Sequence, residues 1–208
     1  PNTPILPDDI KELTGQELLD AANIKVGEVD ILDGSPPCSA FSMAGSVVRG
    51  GGHKDGYGKT KIYSDGKKVE NIEDLFFEFL RVADYIKPKV IIAENVAGLT
   101  MGEAKEYYNK ITNTFEKIGY DVSSMVLDSS HYGVPQTRKR LIFIAVREDV
   151  TSAIGLTFMN IAGIFPEKFS DAITCGDAFS DLVYDKDEIE HLTERFTKGR
   201  HYETASKM

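Results

Sequence analysis

Four short apolar runs, separated by longer amphipathic stretches, constrain the fold of this chain more than any other feature. They cover residues 29–32, 90–93, 122–127 and 141–146. Runs of this length are typical of strands. Their apolar character is nearly continuous rather than alternating, as in strands of a parallel sheet that is covered on both faces. We therefore expect a mostly parallel sheet.

Two of the intervening stretches have the apolar periodicity of helices. The first runs from 71 to 87, with Asn71 as a candidate N-cap and Pro88 as its stop. Its apolar stripe is Ile72, Leu75, Phe76, Phe79, Val82, Ala83 and Ile86. The second covers 103–118 and ends near Gly119. An alternation of strands and helices predicts an α/β fold with a doubly wound, mostly parallel sheet.

Composition narrows the class of protein. With 208 residues and 41% hydrophobic content, the chain can bury one sizeable core. The formal net charge of −9 argues against coating nucleic acid by bulk electrostatics but leaves a local basic cleft open. Cys38 and Cys175 give neither a disulfide framework nor metal-ligand spacing. With no membrane-spanning run and no signal peptide in view, we expect a cytoplasmic protein without a metal or a membrane partner.

Cys38 directly follows the first apolar run and the sequence Gly34-Ser35-Pro36-Pro37. The two prolines keep the backbone extended, so the thiol is expected at the carboxyl end of a strand, where ligands bind in open α/β sheets. A cysteine in an apolar neighbourhood is otherwise a small buried hydrophobic residue. The prolines and the rest of the chain favour the functional interpretation.

Two further polar groups lie at strand ends. Glu94 and Asn95 end the second apolar run, and Gln136, Arg138 and Arg140 precede the fourth. A carboxylate inside an apolar run needs a partner or a proton, although Glu94 could also open an exposed loop. Arg and Gln can grip phosphates or base edges, although a basic turn is more often simply solvated.

Together these segments closely resemble the DNA (cytosine-5)-methyltransferase family. Residues 30–42 resemble its nucleophile motif, 75–81 its helix motif beside the cofactor, 91–96 its Glu-Asn-Val motif and 132–141 its Gln-x-Arg-x-Arg motif. The resemblance covers roughly residues 8–147, with Ser39 standing where the family usually has Gln. Each piece alone is weak evidence, whereas the four in this order are specific.

The resemblance implies that the protein transfers a methyl group from S-adenosylmethionine to carbon 5 of cytosine in DNA. Cys38 would be the nucleophile toward carbon 6, with Glu94 on ring nitrogen 3 and Arg140 on the carbonyl oxygen. Arg138 and Gln136 would support the site, and Pro37 and Asn95 would help to bind the base. The cytosine would be flipped out of double-stranded DNA.

The same resemblance assigns cofactor contacts to Asp9, Ile10 and Leu75. It also indicates what is missing, since neither a Phe-x-Gly-x-Gly motif nor an acidic ribose-binding strand accompanies Asp9. We expect 1–150 to be a partial catalytic core, truncated at its N-terminus, and 151–208 to begin a target-recognition region. Such a fragment alone should bind S-adenosylmethionine weakly or not at all.

Three alternatives stay open at this point. The first is a tRNA cytosine-5 methyltransferase with the same motifs, and the second is a non-catalytic nucleic-acid-binding relic. A thiol hydrolase ranks last, because no His has an obvious partner motif for Cys38. The leading interpretation is a monomeric bacterial or phage DNA methyltransferase with a possible restriction endonuclease partner.

Overall fold

The structure of the protein is a computed structural model. The described residues are 4–37, 61–62, 68–69, 74–102, 104–156, 161–168 and 171–178. Cys38 and the expected N-cap Asn71 lie outside them. The chain divides into two compact units, one of residues 1–128 and 138–168, the other of 129–137 and 169–208.

The first unit is built on a four-stranded sheet. The strands, in chain order, are β1 (Ile31–Gly34), β4 (Val90–Val96), β5 (Tyr120–Asp128) and β6 (Lys139–Arg147), arranged in the order β1-β4-β6-β5. A separate antiparallel pair consists of β2 (Lys61–Ile62) and β3 (Lys68–Val69). All four strands that the sequence predicts are confirmed, with boundaries shifted by a few residues.

The prediction of a mostly parallel sheet is correct for the direction of β1, β4 and β5 but wrong for β6. β1 pairs with β4 in parallel, whereas β6 is antiparallel to both of its neighbours, β4 and β5. The reason is the connection 129–138, which holds a short 3₁₀ turn at Ser129–Tyr132 and no crossover helix. Such a short link reverses the chain, since a parallel return needs a longer crossover.

Five helices accompany the strands in the described residues. They are α1 (Gly15–Ala22), α2 (Asp74–Ile86), α3 (Ala104–Lys117), α4 (Glu148–Ile154) and α5 (Cys175–Ala178). The two predicted helices, α2 and α3, are confirmed. None of the described helices is long and apolar enough to cross a membrane.

The hydrophobic core lies between one face of the sheet and helices α2 and α3. Phe76 of α2, Phe115 of α3 and Phe143 of β6 are fully buried, with ring centroids 5.7–6.4 Å apart. Along β4 and β6, buried residues alternate with half-buried ones such as Ile92 and Ile142, which belong to the opposite face. The described core therefore takes up the side chains on one face of β4 and β6, and those on the opposite face are available for a functional surface.

A second, smaller cluster docks α1 against α2. It joins Leu19 of α1 to Val82 and Ile86 of α2. Tyr85 of α2 also donates a hydrogen bond from its hydroxyl to Oε1 of Gln16, at 2.9 Å. Helix α1 is thus held on α2 by both apolar and polar contacts.

Gly34, the last residue of β1, makes a close approach that a side chain would obstruct. A Cβ atom at Gly34 would lie 2.3 Å from Cε2 of the buried Phe79. Gly34→Ala should lower the free energy of unfolding by about 1–3 kcal/mol, because the ring must move within a packed core. Urea denaturation of the full-length protein measures this effect.

Gly163→Ala is the matched control for that substitution. A Cβ atom at Gly163 would meet no heavy atom within 4 Å, and its φ is not positive. We expect the control to change stability little. Equal effects of the two substitutions would contradict the steric argument.

Tyr120, at the start of β5, is buried and donates a hydrogen bond to the carbonyl of Pro88 at 2.7 Å. Burial raises the pKa of Tyr120, and the nearby Arg147 opposes that shift. The folded-state pKa of Tyr120 lies above the ordinary value of about 10. The buried, protonated phenol therefore stabilises the folded protein below that pH, and this contribution is lost as the pH rises further.

Tyr120→Phe should therefore lower the free energy of unfolding by about 1 kcal/mol near neutral pH. The difference from the wild type should shrink above about pH 10, because only the wild-type unfolded chain then ionises at this position. Denaturation curves at pH 8 and at pH 11 provide the measurement. A difference that stays constant with pH would contradict the burial of the phenol.

Candidate active site

Glu94 and Arg140 form an ion pair at one edge of the sheet. Nε of Arg140 lies 2.6 Å from Oε1 of Glu94, and Nη2 of Arg138 lies 4.0 Å from the same oxygen. The register of β4 and β6 produces this geometry, because Glu94 faces Ile142 and Val96 faces Arg140. The structure thus brings together three of the residues that the sequence singles out, although their roles stay a prediction.

The pair lies on the sheet face opposite the α2 and α3 core. The Glu94 and Arg140 side chains are 31% and 28% exposed. An ion pair this accessible contributes little to stability, since solvent screens it. It does fix the orientation of a carboxylate and a guanidinium, and with Arg138 it leaves a surplus of one positive charge. Together the three side chains form a small positively charged patch on a chain with a negative net charge.

Asn95 links the ends of two neighbouring strands. Its side chain is 2% exposed, and Nδ2 donates to the carbonyl of Pro36 at 3.3 Å. Its Oδ1 accepts the backbone N–H of Val96 at 2.8 Å. The amide therefore ties the Pro-Pro segment after β1 to the strand that carries Glu94.

Pro37 is exposed and is the last described residue of this segment. The predicted nucleophile, Cys38, follows it and lies outside the described residues. The described part of the site thus ends one residue before the thiol. The carbonyl of Pro36 as the anchor point of Asn95 is a feature that the sequence did not predict.

Gln136 belongs to the second compact unit. Its side chain is exposed, its N–H donates to the carbonyl of Val134 and its own carbonyl accepts the hydroxyl of Ser129, both at 2.7 Å. These bonds fold 129–136 into a tight loop. In the same unit, Sγ of Cys175 donates to the carbonyl of Pro135 at 3.2 Å.

The three predicted cofactor residues lie in the first unit. Asp9 is exposed, and Ile10 and Leu75 are half-buried. Ile10 packs against both core clusters, at the junction of α1 and α2. A carboxylate and apolar side chains are residue types that suit the amino group and the flat face of an adenine. The residues present therefore fit the adenine end of the predicted cofactor.

Within the described part of the chain, no group of three or more His, Cys, Asp or Glu side chains is arranged to hold a metal ion. The accessible groups of the described site are one carboxylate and two guanidinium groups, because the buried Asn95 amide is bonded to backbone groups at both ends. Such a set can hydrogen-bond a planar heterocycle at both donor and acceptor positions.

Comparison with known families identifies the family of this chain. The family model of the C-5 cytosine-specific DNA methylase matches residues 6–207, which is nearly the whole chain. The chain therefore belongs to the C-5 cytosine-specific DNA methylase family, and the family resemblance seen in the sequence is confirmed.

The curated relatives are named Type II methyltransferases. The Type II methyltransferase M.Eco47II of Escherichia coli is 35% identical over 83% of this chain and 36% of its own length. M1.HphI of Haemophilus parahaemolyticus is 34% identical over 71% of the chain and 35% of its own length. M.XorII of Xanthomonas oryzae is 30% identical over 89% and 37%. The chain thus spans little more than a third of the length of these relatives.

A solved structure shares the fold. A prophage-encoded E. coli protein, assigned as a DNA modification methyltransferase, superposes with a TM-score of 0.56 at 22% identity. The alignment covers 83% of this chain and 40% of that one. The mixed α/β fold is therefore shared with that solved structure.

Proposed function

We propose that the full-length protein transfers a methyl group to carbon 5 of cytosine in double-stranded DNA. Membership of the family and the Type II methyltransferases among its relatives support this activity. The observation that carries the proposal for this chain is the Glu94–Arg140 ion pair, 2.6 Å long and accessible at the edge of the sheet. It sets a carboxylate and a guanidinium side by side, as recognition of a cytosine ring requires.

Carbon 5 of cytosine is a poor nucleophile, so a protein group must first activate the ring. The Cys38 thiolate forms a bond to carbon 6, and the electron pair of the ring double bond becomes available at carbon 5. Glu94 holds or protonates ring nitrogen 3, and Arg140 donates to the carbonyl oxygen as charge builds on the ring. S-Adenosylmethionine, when bound, would supply an electrophilic methyl group, which the carbon 5 electron pair would take with S-adenosylhomocysteine as the leaving group. Loss of the carbon 5 proton to water then re-forms the ring double bond, breaks the bond between Cys38 Sγ and carbon 6 and restores the thiolate.

The surrounding residues have positioning roles in this scheme. Asn95 holds the carbonyl of Pro36, two residues before Cys38, and so sets the thiol's approach relative to Glu94. Arg138 adds positive charge beside the pair, and Pro37 and Gln136 complete the substrate contacts. Asp9, Ile10 and Leu75 would hold the adenine of S-adenosylmethionine.

Several further features belong to the same proposal. The target cytosine is flipped out of the duplex, because a stacked base cannot reach a thiol and a methyl donor together. The sheet is doubly wound in the complete protein, with 1–150 as part of the catalytic core and 151–208 as the start of target recognition. A restriction endonuclease partner is proposed from the Type II relatives, and the enzyme acts as a monomer.

Transfer of radiolabelled methyl groups by the full-length protein tests the proposal. We expect label in duplex DNA and none above background in tRNA. Label in tRNA alone would favour the tRNA methyltransferase alternative. If neither DNA nor tRNA were labelled, the result would support a non-catalytic role and overturn the proposal.

A further inference from the structure

Arg81 on α2 reaches back to the start of the chain. Its Nη2 donates to two backbone carbonyls, that of Ile10 at 2.7 Å and that of Leu13 at 2.9 Å. Its Nε donates to Oε2 of Glu78 on the same helix, at 2.7 Å. The planar guanidinium can serve all three acceptors at once, which the point charge of a lysine cannot do.

The segment that Arg81 holds is a tight turn built around Asp9. The carbonyl of Asp9 accepts the N–H groups of Glu12 and Leu13 at 2.9 and 3.1 Å, and its Oδ1 accepts the N–H of Lys11 at 3.0 Å. These bonds are local, so they shape the turn without placing it on the protein. The bonds from Arg81 span about seventy residues of sequence and do place it.

Arg81 links the two halves of the proposed adenine site by hydrogen bonds, in addition to the packing of Ile10 against both core clusters. Asp9 and Ile10 belong to the turn, and Leu75 lies on α2, the helix that carries Arg81. We propose that Arg81 is a positioning residue for the cofactor: it holds the Asp9–Ile10 turn against α2 so that both can contact the adenine. This inference rests on the proposed function.

The fold does not depend on Arg81 for docking α1. Leu19 packs against Val82 and Ile86, and Tyr85 bonds Gln16, independently of the guanidinium. The Arg81 side chain is 43% exposed, so its ion pair with Glu78 adds little stability. Removing Arg81 should therefore loosen the turn while leaving the core in place.

Binding of S-adenosylhomocysteine to the full-length protein, measured by calorimetry, tests this directly. Arg81→Ala should weaken binding about tenfold, as expected for the loss of hydrogen bonds that organise a site. The Arg81→Lys variant should bind S-adenosylhomocysteine with intermediate affinity. It also provides a folded variant if the alanine variant is unstable. In the absence of any cofactor, hydrogen exchange of the amides of residues 11–13 should accelerate in Arg81→Ala.

Steady-state kinetics separate positioning from a general structural effect. Arg81→Ala should raise the KM for S-adenosylmethionine about tenfold, with kcat at saturation and the KM for DNA unchanged. Asp84→Ala is the matched control, since it removes another i,i+3 ion pair of α2, with Lys87, that does not involve residues 9–13. It should change neither binding nor exchange at 11–13.

Unchanged affinity and exchange in Arg81→Ala would overturn the inference, as would a fall in kcat at constant KM. These outcomes are distinct from a failure of the proposed function. That failure would appear as an absence of methyl transfer by the wild type, and the binding and exchange measurements would still decide the role of Arg81.

Discussion

Cys38→Ser in the full-length protein is expected to reduce methyl transfer to duplex DNA to background. A serine hydroxyl remains protonated at neutral pH, whereas a thiol ionises readily and its thiolate is a strong nucleophile toward a ring carbon. The change replaces one sulfur by oxygen, so folding and DNA binding should persist. Measuring labelled methyl transfer beside DNA affinity distinguishes loss of chemistry from loss of structure.

Cys175→Ser is the matched control for this substitution. It is the only other cysteine of the chain, and its thiol donates to the carbonyl of Pro135, a role that a hydroxyl can take over. We expect near wild-type activity for this variant. Activity that survives in Cys38→Ser, or that is lost equally in both variants, would contradict the assignment of Cys38 as nucleophile.

Glu94→Gln is expected to have the second largest effect. The amide keeps the shape of the side chain but can neither protonate ring nitrogen 3 nor pair electrostatically with Arg140. Loss of acid catalysis of this kind typically lowers a rate by about 10²–10⁴-fold, so kcat should fall within that range. Single-turnover methyl transfer at saturating DNA measures it without interference from product release.

A second ion pair on the same sheet provides the control. Nζ of Lys89 lies 2.6 Å from Oδ1 of Asp30, as close as Arg140 lies to Glu94, but at the opposite end of β4. Asp30→Asn should leave kcat unchanged. If Glu94→Gln behaved like Asp30→Asn, Glu94 would be a surface ion-pair partner without a catalytic role.

The sequence predicted the elements of the sheet better than their arrangement. Each apolar run is a strand in the structure, although only the runs of β4 and β6 are largely buried on one face. Strand β6 lies antiparallel between β4 and β5, and its reversal relative to β5 follows from the short connection 129–138. The short spacing between the two apolar runs indicated this reversal, but the expectation of parallel pairing outweighed it.

Helix α1 was not predicted, although its signal is readable. Thr14 and Glu17 form a reciprocal capping box, with the Glu17 carboxylate 2.8 Å from the backbone N–H of Thr14. The apolar residues of α1 are few, because the helix packs through Leu19 and partly through Leu18. Periodicity alone therefore missed it.

The residues of the site could be singled out from their positions at strand ends, but their convergence did not follow from the expected parallel sheet. Glu94, Arg138 and Arg140 converge because antiparallel neighbours bring the end of β4 beside the start of β6. The contacts of Asn95 and Arg81 with backbone carbonyls were not predictable, since their acceptors at Pro36, Ile10 and Leu13 lie far away in the chain. Such contacts depend on tertiary packing, which local sequence patterns do not encode.

Trapping with 5-fluorocytosine tests the central claim most directly. In DNA that carries this base at the target position, fluorine replaces the proton that must leave carbon 5, so the thiol adduct cannot break down. With S-adenosylmethionine present, the full-length protein should become covalently attached to the DNA, and mass spectrometry of the digest should place the bond on Cys38. Methylation of normal DNA without any such adduct, or an adduct on another residue, would contradict the account.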